Sequence, residues 1–431
     1  MTERSAAETT DGGLATEEAA VTRRAIAVDV AIVGGGPAGL AAAIELRRLG
    51  VASVTVLERE SEVGGIARHS EHLGYGTRDL HRVLRGPDYA KRCAAAADRA
   101  GVDVRTRTTV IDGLGTGSLR LATNDGEVRL EATAMLLATG TRERPRSARL
   151  VPGSRPAGVL TTGSLQQLVA LHDQRPGSVA VVIGAEHVSF SAVLTLLDAG
   201  CRVAAIVTGL AHHQTYRSLR WATAGRHRVP VRTGVSVAEI VGSPRVTAVK
   251  LSDGTTIACD TVVFTGEWRP EHELARIAGV RLDEGTGGPA VDASLRTSVP
   301  GVFCAGNVVH GAETADRCAL DGRHAARAID RWLVARTWPD HWAPMIPQGN
   351  VAWAHPNVVR EGAGQPPGDR IVLRVRAFDR SPRIAVRQGL RELWSGPPRG
   401  KLVPNRRITI PAAWLRRADP SGAPITVTVE G

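Results

Sequence analysis

The chain has 431 residues, 43% of them apolar, enough for two to four domains and too apolar for a disordered protein. No apolar run is long enough to span a bilayer. Five scattered cysteines (Cys93, Cys201, Cys259, Cys304 and Cys318), with no C-x-x-C pair, argue against a disulfide framework and a structural zinc site. The net charge of +11 rests on arginine, and residues 345–431 alone hold fourteen Arg/Lys against six Asp/Glu. A nucleic-acid surface, a docking face for an acidic partner and a solvated face would each suit that surplus.

In chain order, residues 1–25 are polar with no apolar core, which reads as a disordered tail rather than a secretory signal; a cytoplasmic location is the default expectation. Residues 28–33 then read as a buried strand, 37–49 as a helix and 53–57 as a second strand, a βαβ unit that implies a parallel sheet. Residues 104–131 alternate around Asn124-Asp125-Gly126 and predict a small antiparallel insertion. "AMLLATG" predicts a return to a buried strand. Residues 178–207 repeat the strand–glycine–helix–strand pattern, a duplicated architecture. A strand near 302 and a long helix over 314–336 follow. The Pro- and Trp-rich stretch 338–360 reads as a linker, and 361–431 as a small β domain of short alternating strands. The expected fold class is α/β: two doubly wound Rossmann-like domains plus a C-terminal all-β domain. The first domain is split over 26–150 and 286–337, and the second spans 151–285.

Gly34-Gly35-Gly36-Pro37-Ala38-Gly39 fits G-x-G-x-x-G between strand and helix. Gly34 permits the turn, Gly36 lets a pyrophosphate approach the backbone, and Gly39 lets helix and strand pack closely. The helix start offers free N–H groups to phosphate. Glu58 ends the next strand, placed to hold ribose hydroxyls. The second turn, Gly184-Ala185-Glu186-His187-Val188-Ser189, keeps only its first glycine, and no acid ends its second strand. Glu186 stands where backbone should meet pyrophosphate. Two unit charges about 4 Å apart interact by about 4 kcal/mol at an effective dielectric of 20, roughly a thousandfold in affinity. NAD(P) binding there is therefore doubtful.

The first turn, Gly64-Gly65, "ATGTRERPR" and "TSVPGVFCAGN…ADRCALDGRHAA" together resemble the flavoproteins with two dinucleotide-binding domains, the pyridine nucleotide-disulfide oxidoreductase superfamily, over residues 27–336. The resemblance implies FAD on the first domain. Glu58 would hold the adenosine ribose, Val110 would lie near the adenine, and Thr139 and Gly140 would lie at the domain crossing. Gly306 and Asn307 would hold the ribityl chain, and the helix near Ala315 would point at the flavin ring. The family usually has Asp where Asn307 stands, which removes one charge but keeps an acceptor.

The redox cysteine pair of thiol-reducing members is missing, so disulfide reduction is not expected. The stretch after Gly64-Gly65 offers His69, His72, Tyr75 and His81 instead, and His310 and Glu313 precede the last helix. Any of these could accept a substrate proton, or merely pack. No metal is assigned. "GAEHVSFSAV" and "CAGNVVHGAETADRCALDGR" further resemble the FAD subunits of multi-subunit opine oxidases, dye-linked amino-acid dehydrogenases and hydrogen cyanide synthases. That implies oxidation of a small amine, amino acid or hydroxy compound, with electrons passing to a partner subunit. The basic C-terminal domain and Trp338, Trp342 and Trp353 are its expected docking surface. Two alternatives stay open: an NAD(P)H-dependent flavin reductase of a protein or small acceptor, and a non-catalytic flavin- or nucleotide-binding scaffold. No nucleic acid is expected, because no aromatic reader motif interleaves with the basic residues.

Overall fold

The computed structural model describes residues 26–430 except 116, 312, 381 and 382, so the expected tail at 1–25 lies outside the described residues. The first sheet is built on Ile26–Val33, which pairs in parallel with Val54–Leu57 on one side and Gly126–Leu137 on the other. Asp103–Arg105 extends it beyond Val54–Leu57. Val302–Cys304 joins it from far along the chain, pairing in parallel with residues 135–137.

Residues 126–137 form one continuous strand, where two separate segments were expected. Its first half pairs antiparallel with Ser118–Thr123, which in turn pairs with Thr109–Asp112. Burial along it changes from alternation to four consecutive buried residues. The first part has one covered face and the last part has two, and that difference makes one strand look like two in sequence.

The helices Pro37–Arg48 and Ala315–Ala335 cover this sheet and pack directly on each other. Small residues at the contact decide the spacing: a Cβ on Gly322 would lie 2.1 Å from the carbonyl oxygen of Ala38. Phe303 is fully buried, its ring edge-on to Trp332 at 6.2 Å and to Trp338 at 5.2 Å. Trp338 thus closes this core instead of offering a docking face.

The second domain repeats the plan. Five parallel strands lie in the order Val159–Thr161, Thr261–Phe264, Val179–Ile183, Arg202–Thr208 and Val231–Thr233. Helix His187–Asp198 packs on the sheet, and an antiparallel trio (Val237–Val241, Ala248–Leu251, Thr256–Ala258) matches the insertion of the first domain. The chain crosses between the domains along paired segments, Thr141–Glu143 antiparallel to Trp268–Pro270.

The C-terminal β domain has a five-stranded and a three-stranded sheet around one apolar core. The supposed linker 338–360 supplies three of its strands, Trp342–Gln348, Val351–His355 and Val358–Arg360. Ala343, Met345 and Val351 are buried in its core. Pro344 and Pro347 disguise the first of these strands. Residues 342–344 pair with 358–360 and residues 345–348 with 425–428, so each half has a single neighbour and tolerates a residue without an N–H. Trp342 is stacked under the Arg281 guanidinium at 4.2 Å, and Trp353 against His310 at 4.8 Å; both are committed within the chain.

Candidate functional site

The two glycine turns have the same backbone plan and opposite surroundings. In the first, Gly34 has φ +108, and a Cβ there would sit 2.5 Å from the carbonyl oxygen of Ala138. A Cβ on Gly39 would be 2.0 Å from the Gly34 oxygen, so these two glycines are demanded by the fold itself. Gly36 differs. It takes an extended backbone open to any residue, and a Cβ there would meet nothing within 4 Å. Its bare face is not needed for packing, which is what a cradle for a diphosphate requires. Gly65 closes the cradle from the other side, its would-be Cβ 3.2 Å from the Gly36 Cα. Pro37 begins the helix, where the absence of its N–H costs no intrahelical bond.

Glu58 is buried beside the turn, with Oε2 accepting from the Gly35 N–H at 2.8 Å and Oε1 from the Glu60 N–H at 2.9 Å. These bonds fix its carboxylate at the strand end. Val110 is buried in its strand. At the crossing, the Thr139 hydroxyl donates to the Glu271 carbonyl at 2.7 Å and the Glu271 N–H donates to the Gly140 carbonyl at 3.0 Å. Gly306 packs its backbone against Ala38, where a Cβ would come within 2.8 Å of the Ala38 Cβ. Ala315 opens the long helix. The donor set and open cradle fit FAD, with one adjustment. The Asn307 amide is already committed, donating to the Glu313 carbonyl at 3.2 Å and accepting from the Glu313 N–H at 3.0 Å. Both bonds tie Asn307 to Glu313, which leaves one amide N–H and one oxygen lone pair for a ligand.

In the second turn Glu186 caps the helix where Gly36 caps the first. Its side chain folds back over the strand ends. A carboxylate oxygen lies 2.9 Å from where a Gly184 Cβ would be and another 2.6 Å from that of Gly266. The carboxyl therefore fills the gap between the two glycines. Burial raises its pKa, against the hydroxyls of Thr265 and Ser189 and the Arg149 charge, so part of the obstruction is bulk rather than charge. A second buried acid, Glu143, faces the same region, accepts from the Gly163 N–H at 2.9 Å, and has its pKa raised by burial and by Glu186. Sequence reading missed Glu143, since an isolated acid after a crossover carries no pattern.

The three candidate histidines have different surroundings. His69 ends the 3-10 turn Gly65–His69, is buried, and has Nδ1 without a partner. Burial, helped by Arg68, pushes it down to about 4. Its neighbour Ser70 is reached by Gln166 of the second domain at 3.4 Å. His72 lies on a surface hairpin beside Tyr75, with Nδ1 2.9 Å from its neighbour's carbonyl oxygen, which does not favour it as a catalytic group. His310 is 2% exposed, 4.6 Å from His355, and burial pushes it down to about 4 despite Glu313 nearby.

Two Rossmann-like domains joined by a double crossover, with the flavin-type cradle on the first, define a two-domain flavoprotein oxidoreductase. The chain belongs to the pyridine nucleotide-disulphide oxidoreductase family, whose model matches residues 28–336. It is 27% identical over 343 residues to the benzene 1,2-dioxygenase system ferredoxin–NAD(+) reductase subunit of Pseudomonas putida, covering 75% of this chain and 77% of that one. It is also 27% identical to an opine oxidase subunit of Agrobacterium tumefaciens, covering 70% and 65%. The fold superposes on T. acidophilum thioredoxin reductase with a TM-score of 0.59 at 25% identity, covering 71% of this chain and 98% of that one. The protein is thus an oxidoreductase of a family that binds FAD. No helix among the described residues is long and apolar enough to cross a membrane.

Proposed function

We propose that this chain is the flavin subunit of a multi-subunit cytoplasmic dehydrogenase that oxidises a small amine, amino acid or hydroxy compound and passes the electrons to a partner. The observation that carries it is the contrast between the turns: open space over Gly36, a carboxyl wedged between Gly184 and Gly266. Electrons then enter from a substrate rather than from nicotinamide on the second domain. FAD bound in the first supplies hydride acceptance. Gly34, Gly36, Ala38 and Gly39 with Pro37 form its diphosphate bed, Gly64 and Gly65 close over it, and Glu58 holds the ribose. His69 and His310, neutral at pH 7 by burial, are the groups able to take a substrate proton.

The cysteines support the exclusion of dithiol chemistry. All five are free, and Cys201, Cys259, Cys304 and Cys318 are buried. A partner protein has the exposed Arg380, Arg399 and Lys401 at one end of the hairpin 383–396 to dock on, or the exposed Arg391 and the fully exposed Leu390 at its turn.

The test is anaerobic bleaching of the flavin, with NADH and NADPH in one arm and amines, amino acids and hydroxy acids in the other. Fast saturable bleaching by NADH alone sinks the reading. It would favour the second one, an NAD(P)H-dependent reductase, which the ferredoxin–NAD(+) reductase relative supports.

A further inference from the structure

We propose that the seam between the C-terminal β domain and the start of helix Ala315–Ala335 is a binding site for a small carboxylate, with Arg407 as its principal contact. The inference rests on the dehydrogenase reading and narrows its substrates to amino or hydroxy acids.

Three arginines converge on one acid. Glu313, whose side chain is 4% exposed, is met by Arg374 at 2.8 Å, Arg407 at 3.1 Å and Arg317 at 3.6 Å. Burial opposes the charge on Glu313, but Arg374 and Arg407 outweigh it and hold its carboxyl at about 2. The neighbouring Asp321 does not balance the rest, because burial and the Glu313 charge push it up to about 7. Asp316 pairs with the Arg78 guanidinium at 2.8 Å and bears on the cluster only through its charge on Arg317. Three guanidinium charges against one firm carboxylate leave a positive excess at the mouth of the seam, where Arg374 is buried while Arg407 and Arg317 stay 23% and 31% exposed and open to a counter-anion. The first turn of the long helix adds its partial positive end.

The walls carry polar atoms without partners. His310 Nδ1 and His355 Nδ1 are buried and unbonded on the side of Trp353. Across the seam, Arg406 donates to the carbonyl of Gln214 at 2.5 Å and to that of Thr215, and lies 4.4 Å over the Tyr216 ring. Gln214 Oε1 and Thr215 Oγ1, on that clamped loop, are likewise buried without partners. The clamp ties the C-terminal domain to the second glycine turn, since the Gln214 N–H donates to the Ala185 carbonyl at 2.8 Å. One ligand thus has guanidinium donors, two imidazoles and a helix end within one seam. A carboxylate suits it better than a phosphate dianion, because Glu313 already sits between two of the arginines. This also accounts for part of the basic surplus of the C-terminal domain: Arg374, Arg406 and Arg407 are turned inward.

The flavin-loaded full chain is titrated with propionate, propionamide, propylamine and inorganic phosphate, read by flavin absorbance and by calorimetry. Propionate should give a saturable change that propionamide and propylamine do not. Arg407→Gln should weaken it at least tenfold, Arg407→Lys less, and the surface variant Arg383→Gln not at all. Flavin content and the unfolding midpoint report whether each variant is folded, and Arg407→Lys keeps the charge if Arg407→Gln is not. An equal response to propionamide, tighter binding of phosphate than of propionate, or an unchanged affinity in folded Arg407→Gln overturns the site. Propionate binding without flavin reduction by any amino or hydroxy acid leaves the site standing and removes the dehydrogenase reading. Reduction by such acids with no propionate effect does the reverse.

Discussion

Replacing Glu186 tests whether its carboxyl keeps a nucleotide off the second domain. Its carboxylate oxygens lie 2.9 and 2.6 Å from the positions that Cβ atoms on Gly184 and Gly266 would take, so it occupies the slot a diphosphate would need. If it is ionised, a phosphate about 4 Å away meets about 4 kcal/mol of repulsion at an effective dielectric of 20, close to a thousandfold in Kd. Glu186→Gly removes charge and bulk together, and Glu186→Gln removes only charge. NADH binding, followed by fluorescence titration, should strengthen by two to three decades (about a thousandfold at most) in Glu186→Gly. The gain in Glu186→Gln should be smaller, because burial raises the Glu186 pKa and part of the obstruction is steric. A raised carboxyl pKa also means that its native environment favours the protonated form. Stability associated with Glu186 is present below the unfolded pKa and lost as pH rises through the folded one. Glu186→Gln should therefore flatten the loss of stability that sets in as pH rises past the ordinary carboxylate value of 4.5. Wild-type protein that already binds NADH tightly, or Glu186→Gly that gains nothing, would refute the reasoning.

Gly36→Val should fold with an apo-protein stability within about 0.5 kcal/mol of wild type, because its Cβ meets nothing within 4 Å, yet purify without flavin. Gly39→Val, whose Cβ would strike the Gly34 oxygen at 2.0 Å, should instead cost about 1–3 kcal/mol or more in thermal unfolding of the same apo form. Glu313→Gln should destabilise by about 3–5 kcal/mol, since it leaves the buried Arg374 without its carboxylate. In wild type the Glu313 contribution is present above the ordinary carboxylate value of 4.5 and lost as pH falls from there towards about 2, so acid unfolding scans should show that step only when Glu313 is present.

Features that adjacent residues decide were readable from the chain alone. Strand, glycine turn and helix are adjacent in sequence, and so both dinucleotide-type turns, the missing glycine at position 186 and the strands of residues 370–430 were all legible. The long helix was legible too, expected over 314–336 and found over Ala315–Ala335. The strands hidden in 342–360 were not, because their prolines are tolerated only where pairing switches sides, a property that depends on partners as distant as residues 425–428. Nor was the direction of the arginines. A basic run reads the same whether it faces solvent or a buried acid, and only the docking of the β domain beside His310 and Glu313 turned Arg374 and Arg407 to Glu313. Charge pairing at long sequence separation depends on packing, and packing is what tertiary structure adds.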